Sequence, residues 1–131
     1  MARSVGYEGI GRGPLVYFKS ALVRGTDENK LVAISANGTV ALCSDDQNFI
    51  GIVRVIDAYD ALAGVQVDGI VEDFAYDTDH DPTVTDGQGW QALQCGDVNG
   101  GNIKPATEGV TIPLRMVLEV DSTNHLITFR L

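Results

Sequence analysis

The dipeptide Asn37-Gly38 stands between two short apolar runs, residues 31–36 and 39–43. An Asn-Gly pair in this setting favours a two-residue β-hairpin turn, because both residues tolerate a positive φ. A chain that places this turn between two β-prone runs is strongly biased towards antiparallel strands. The sequence therefore predicts a hairpin over residues 31–43.

Similar apolar runs, separated by polar turns, recur along the rest of the chain. They lie at residues 15–18, 49–56, 65–71, 90–93, 110–120 and 126–131. Asp68-Gly69 interrupts one run and predicts a bulge or a tight turn there. Pro113 cannot donate a ladder hydrogen bond, so its strand starts after it, bulges there or lies on a sheet edge. Only residues 57–62 suggest a single helical turn. For 131 residues, this pattern predicts an all-β, single-domain β-sandwich or barrel with little helix.

The first thirteen residues differ from the rest, because they are rich in glycine and have no apolar period. We expect a flexible N-terminal arm at residues 1–13 and one all-β domain at residues 14–131. The arm is either a disordered terminus or a segment that becomes ordered on a neighbouring subunit. Its candidate partner-binding residues are Arg3, Tyr7, Ile10 and Arg12.

Charge is distributed unevenly along the chain, whose net charge is −9. Residues 1–30 carry five basic and three acidic side chains, whereas residues 31–131 carry four basic and fifteen acidic ones. An acidic body repels phosphate backbones, so nucleic acid is not an expected partner. The sequence also lacks the run of about 18 apolar residues that a membrane-spanning helix needs.

Cys43 and Cys95 are the two cysteines of the chain. The N-terminal residues have no apolar run of the kind found in a secretory signal, so we expect two reduced, buried thiols and no disulfide bond.

The segment Asp77-Thr78-Asp79-His80-Asp81 alternates carboxylates as a calcium loop does. However, Pro82 stands where an EF-hand needs glycine, and Gln88 stands where its bidentate glutamate belongs. The segment is interpreted as a solvated acidic loop, with a weak Ca²⁺ site as the alternative, and no metal or other cofactor is predicted.

The sequence offers no arrangement typical of nucleophilic catalysis. Its two histidines, His80 and His125, stand in or beside polar turns, and no G-x-S-x-G motif is present. The chain is therefore not expected to be an enzyme. Trp90, flanked by glycine and glutamine, either packs in the domain or anchors an interface.

The order of these features resembles that of small bacteriophage head decoration proteins, also called capsid cement proteins. A basic arm leads into a hairpin, and then into the stretch FIGIVRVIDAYDALAGVQVDGIVEDF at residues 49–74. The positions that match the recurring pattern of the family are Gly51-Ile52-Val53, Ala63-Gly64, Val65, Val67 and Gly69. A Gly-Asp turn at residues 96–97 and a terminal hairpin ending in ITFRL complete the likeness. The acidic segment 77–89 is not part of the pattern.

The resemblance implies a structural protein of the virion that is made in the host cytoplasm and joins the capsid exterior. It implies the major capsid protein as a partner and a homotrimer at three-fold or quasi-three-fold sites, where it stabilises the head. A carbohydrate-binding β-sandwich module, with a site around Trp90 and residues 77–89, is the alternative interpretation.

Overall fold

The computed structural model describes residues 15–80, 82, 89–96, 99–106 and 112–131. These residues form ten strands and no helix, which confirms the predicted all-β fold. In this part of the chain no helix is long and apolar enough to cross a membrane. The predicted arm, residues 1–13, lies outside the described residues.

The first half of the described chain forms a closed barrel of five strands. The strands are β1 (Leu15–Ser20), β2 (Leu31–Ala36), β3 (Thr39–Leu42), β4 (Gly51–Asp57) and β5 (Leu62–Gln66). Their order around the barrel is β1-β3-β2-β4-β5, and β1 closes it by pairing with β5. The β1–β3 pair is parallel, whereas the other pairs are antiparallel.

The second half forms a five-stranded antiparallel sheet in the order β6-β10-β9-β7-β8. The strands are β6 (Ile70–Ala75), β7 (Trp90–Cys95), β8 (Ile103–Pro105), β9 (Leu114–Asp121) and β10 (Leu126–Arg130). A parallel bridge between Tyr76 and Ile103 brings the two outer strands of this sheet towards each other. The amide of Asp77 donates to the carbonyl of Ile103 (2.8 Å) and extends that link.

Two hydrophobic cores hold these layers together. The barrel interior is filled mainly by the small and β-branched side chains of Val32, Val40, Val53, Ile56, Ala63 and Val65. The larger core lies between the barrel and the inner face of the second sheet. Its barrel side includes Leu31, Ala33 and Ile52, and its largest side chains include Phe49 and Phe129. Strand β2 alternates between the two cores, since Leu31 and Ala33 face the second sheet while Val32 faces the barrel interior.

Several local predictions are confirmed by the turns and strand limits. β2 and β3 form the predicted hairpin around Asn37-Gly38, although of these two residues only Gly38 takes a positive φ (68°). β9 begins at Leu114, directly after Pro113, which selects the first of the three alternatives for that proline. Gly69 has a φ of 90°, and the predicted break at residues 68–69 is the turn at which the chain leaves the barrel for the second sheet.

The helical turn suggested for residues 57–62 is wrong. These residues connect β4 to β5 as a hairpin turn, in which Asp57 pairs with Leu62. The carboxylate of Asp57 accepts hydrogen bonds from the amides of Tyr59 (2.9 Å) and Asp60 (3.3 Å). The same two hydrogen bonds would also cap a helical turn, so the pairing of Asp57 with Leu62 is what selects the hairpin.

Lys104 of β8 ties the loop after β3 to the second sheet. Its Nζ lies 2.9 Å from Asp45 Oδ1 and 2.6 Å from Asp46 Oδ1, while its side chain is only 9% exposed. The hydrogen bonds to Asp46 and then Asp45 raise the pKa of Lys104 above its ordinary value of 10.5. A raised pKa means that this stabilisation is complete below the ordinary value and is lost as the pH rises through the folded value.

Substituting Lys104 by methionine is expected to lower the free energy of unfolding by about 1–2 kcal/mol at neutral pH. Methionine fills the space of the buried alkyl chain but leaves two carboxylates without their cation. Urea unfolding curves measure the loss, which should shrink at pH values above the lysine pKa. Lys30→Met is the control, because Lys30 Nζ is 4.0 Å from Asp27 Oδ1 on a more exposed side chain. Equal losses in the two variants would contradict this role for Lys104.

Candidate docking surfaces

Of the predicted partner-binding residues, Trp90 is the one that lies within the described chain. Arg3, Tyr7, Ile10 and Arg12 lie outside the described residues. Trp90 is the first residue of β7 and is 55% exposed.

Trp90 belongs to an apolar patch on the outer side of the second sheet. Trp90 pairs with Met116, and Ala92 pairs with Leu114, which is 61% exposed. Because side chains two residues apart on a strand share a face, these four form one patch, called here the sheet face. None of the four carries a charge.

The intervening residues of the same strands point to the larger core. Leu93 and Val117 are buried there. The Arg115 guanidinium lies 4.4 Å from the centre of the Phe49 ring, and its Nη2 donates to the Phe49 carbonyl (3.0 Å). Burial lowers the pKa of Arg115 below its ordinary value. These contacts fix the pleat of β9 and therefore fix the outward direction of the sheet face.

A second apolar patch, which the sequence did not single out, lies on the outside of the barrel. Tyr17 of β1 pairs with Gly64 of β5, and Gly64 pairs with Val55 of β4. Tyr17 is 56% exposed and Val55 is 47% exposed, although both lie in strands. Together with Leu15 they form the barrel face.

Gly64 lets the Tyr17 ring lie against the sheet. A Cβ at this position would meet carbon atoms of the Tyr17 ring at 3.2–3.3 Å and Leu15 Cδ1 at 3.3 Å. The next row of the barrel pairs Lys19 with Leu62 and Leu62 with Asp57, so charged side chains border the patch. An exposed aromatic side chain beside an apolar neighbour and a border of charged residues is typical of an interface anchor.

The acidic segment forms a closed local turn at its described end. Asp77 Oδ2 lies 2.9 Å from His80 Nδ1, and Asp77 Oδ1 accepts a hydrogen bond from the Asp79 amide (3.0 Å). The hydrogen bond from the Asp79 amide and then that from His80 lower the pKa of Asp77. Asp81 lies outside the described residues. Within the described ranges, no group of three His, Cys, Asp or Glu side chains is arranged to hold a metal ion.

What the two faces can do chemically is exclude water against an apolar partner surface. Tryptophan and tyrosine carry large apolar area with few rotatable bonds, and they are enriched among the residues that dominate binding energy. Trp90 was predictable because a tryptophan stands out in any sequence. Tyr17 was not, because its exposure depends on the pairing of β1 with the distant strand β5.

The chain matches no known family model, and a search of curated proteins finds no relative.

Proposed function

We propose that this protein is a head decoration protein, which binds the outer surface of a bacteriophage capsid and stabilises it. In this proposal it is a structural, non-enzymatic component of the virion that is made in the host cytoplasm. Its partners are the major capsid protein and two further copies of itself, in a trimer at three-fold or quasi-three-fold positions. The resemblance of residues 49–74 to the decoration proteins suggests this function.

The main support for the proposal is that an acidic body has two apolar surfaces, the sheet face and the barrel face, each with an exposed aromatic side chain. Tyr17 lies on the barrel and Trp90 lies on the second sheet, so one subunit has two separate apolar surfaces to offer. A decoration trimer needs two kinds of contact, one with sister subunits and one with the capsid. Two separate faces suit that requirement.

Electrostatics favours contacts through these uncharged side chains. Residues 31–131 carry an excess of eleven acidic side chains, so copies of the body repel one another at long range. Burial of Trp90 or Tyr17 opposes that repulsion without removing water from a charged group. The basic arm adds opposite charge through Arg3 and Arg12, and apolar anchors through Tyr7 and Ile10.

Avidity turns modest contacts into stable attachment. A trimer that engages three equivalent capsid sites gains orders of magnitude over a single subunit, provided that the geometry allows all three at once. Each face therefore needs to contribute only a moderate affinity.

Co-sedimentation with capsids of the virus that encodes the chain tests the proposal. Trp90→Ser and Tyr17→Ser are each expected to weaken capsid binding by about tenfold or more, which corresponds to about 1.4 kcal/mol at one site. Tyr59→Ser is the matched control, because Tyr59 is 97% exposed at the tip of the β4–β5 turn. The mass of each variant in solution separates the two kinds of contact, since loss of the trimer identifies the face between sister subunits.

Equal capsid occupancy of wild type, Trp90→Ser and Tyr17→Ser at limiting concentration would contradict the use of these faces. Melting curves serve as the folding control. Both substitutions are at exposed positions and are expected to change the melting temperature only slightly.

Trp90 is exposed and follows the acidic segment 77–89 directly in the sequence, which also suits a carbohydrate-binding module in which the indole stacks on a sugar ring. A glycan array and calorimetry with Ca²⁺ test that alternative. Under the decoration proposal no glycan binds, and millimolar Ca²⁺ leaves the melting temperature unchanged. Saturation at 100 times a dissociation constant would instead add about 2.7 kcal/mol of stability.

A further inference from the structure

The two cysteines come from different halves of the molecule. Cys43 is the first residue after β3 of the barrel, and Cys95 is the last residue of β7 in the second sheet. Neither cysteine is in a disulfide bond, and both side chains are fully buried in the larger core. The sequence leaves open that two cysteines so far apart could pair, but without an apolar N-terminal signal it predicts that they are reduced and not bridged.

The structure brings these two cysteines to the same point of the larger core. Cys95 Sγ donates to the carbonyl of Cys43 at 3.6 Å, and the neighbouring Cys95 side chain raises the pKa of Cys43. Cys43 Sγ also lies 3.7 Å from the carbonyl of Gln47. Both thiols therefore lie against the main chain of the same loop, and a disulfide requires their sulfur atoms to approach to about 2 Å.

The main chain holds the two cysteines together as well. The Cys95 amide donates to the Gln47 carbonyl (3.0 Å), and the Asp46 amide donates to the Cys95 carbonyl (3.0 Å). The loop that begins at Cys43 is thus pinned to the end of β7 by main-chain hydrogen bonds. A covalent link at this point would join two segments that are already neighbours, so it would demand little backbone movement.

We propose that Cys43 and Cys95 form a latent disulfide site, which is a dithiol under reducing conditions and closes to an intramolecular disulfide when it meets a small disulfide oxidant. The bond would join the barrel covalently to the second sheet. This inference does not depend on the capsid proposal.

The reaction balances as an ordinary thiol–disulfide exchange. The thiolate of one cysteine attacks the oxidant, forms a mixed disulfide and releases one small thiol. The thiolate of the second cysteine then attacks the protein sulfur of the mixed disulfide and releases the second small thiol. The protein loses two electrons and two protons, and the oxidant gains them as two thiols.

Access of the oxidant to the two thiols controls the rate of disulfide formation. The hydrogen bond with Cys95, followed by burial, raises the pKa of Cys43, so the closed site contains little thiolate. The loop after β3 must open before an oxidant reaches either sulfur. Lys104 holds that loop through Asp45 and Asp46, so loss of Lys104 is expected to speed the reaction several-fold.

The test treats the reduced protein with oxidised glutathione, traps free thiols with an alkylating agent and measures intact and peptide masses. Wild type is expected to lose both thiols together, to become lighter by two hydrogen atoms, and to yield a peptide pair joined through Cys43 and Cys95. Its melting temperature is expected to rise by roughly 10 °C, as for a disulfide that closes a long loop. Lys104→Met should give the same product faster.

Cys43→Ala and Cys95→Ala are the controls, and neither should show the two-hydrogen loss or the rise in melting temperature. The oxidation is repeated in urea below the unfolding transition, a condition chosen to favour opening of the loop while the chain stays folded. The proposal is overturned if wild type in such urea keeps both thiols, accumulates two glutathione adducts per chain, or forms disulfides between chains instead.

Discussion

Substituting Phe129 by alanine is expected to lower the free energy of unfolding by about 3–5 kcal/mol, a large part of the stability of an ordinary domain. Phe129 lies on β10 and is fully buried. Its ring packs edge-to-face against two other rings, with ring centres 6.1 Å from Phe49 and 6.4 Å from Phe74. One side chain thus joins β10 to β6 and to the segment before β4.

The cost comes from the lost apolar contacts and from the cavity that remains. The surrounding strands are hydrogen bonded on both sides of β10, so they relax only partly into the space. Urea unfolding curves measure the effect. Phe129→Leu should lose less, because leucine fills most of the space, and Tyr59→Ala should change stability by less than about 0.5 kcal/mol. A loss below about 1 kcal/mol for Phe129→Ala would show that this ring cluster is not the centre of the core.

Deleting residues 1–13 is expected to weaken capsid attachment by about a hundredfold while leaving the fold in place. This prediction depends on the proposed function and on the sequence of the arm. Its few apolar side chains cannot form a core of their own, but Tyr7 and Ile10 can anchor it on a neighbouring subunit. An arm of this kind adds main-chain hydrogen bonds in the manner of strand addition.

The expected loss is large because a trimer carries three arms and the deletion removes all of them together. Capsid occupancy at a series of protein concentrations measures it, with a melting curve as the folding control. Tyr7→Ser should give a smaller loss of the same kind. Unchanged occupancy after the deletion would eliminate the arm as a docking element, and a collapsed melting temperature would assign residues 1–13 to the folded body instead.

Local turns and strand limits could be predicted from the sequence. The Asn37-Gly38 hairpin and the start of β9 after Pro113 follow from the backbone conformations that these residues allow. The all-β class follows because short apolar runs alternate with turn residues. The prediction for residues 57–62 was wrong because the Asp57 carboxylate can cap a helical turn or a hairpin turn equally well, and the pairing of β4 with β5 selects the hairpin.

The pairing of strands that are distant in the sequence could not be predicted. Nothing in residues 15–20 specifies that β1 pairs in parallel with β3 and in antiparallel with β5. The sequence predicts a break at Asp68-Gly69 but not that the chain changes sheets there. The sequence identified Trp90 as a candidate partner-binding residue but not Tyr17. The exposure of Tyr17 depends on the pairing of strands that meet only after folding. The proximity of Cys43 and Cys95 could not be predicted either, because it depends on the same long-range packing.

An electron-microscopy reconstruction of capsids incubated with the protein tests whether it decorates the head. We expect extra density on the outer surface of the head, at three-fold or quasi-three-fold positions, into which three copies of the barrel and second sheet fit. Heads that show no added density at a saturating protein concentration would contradict it.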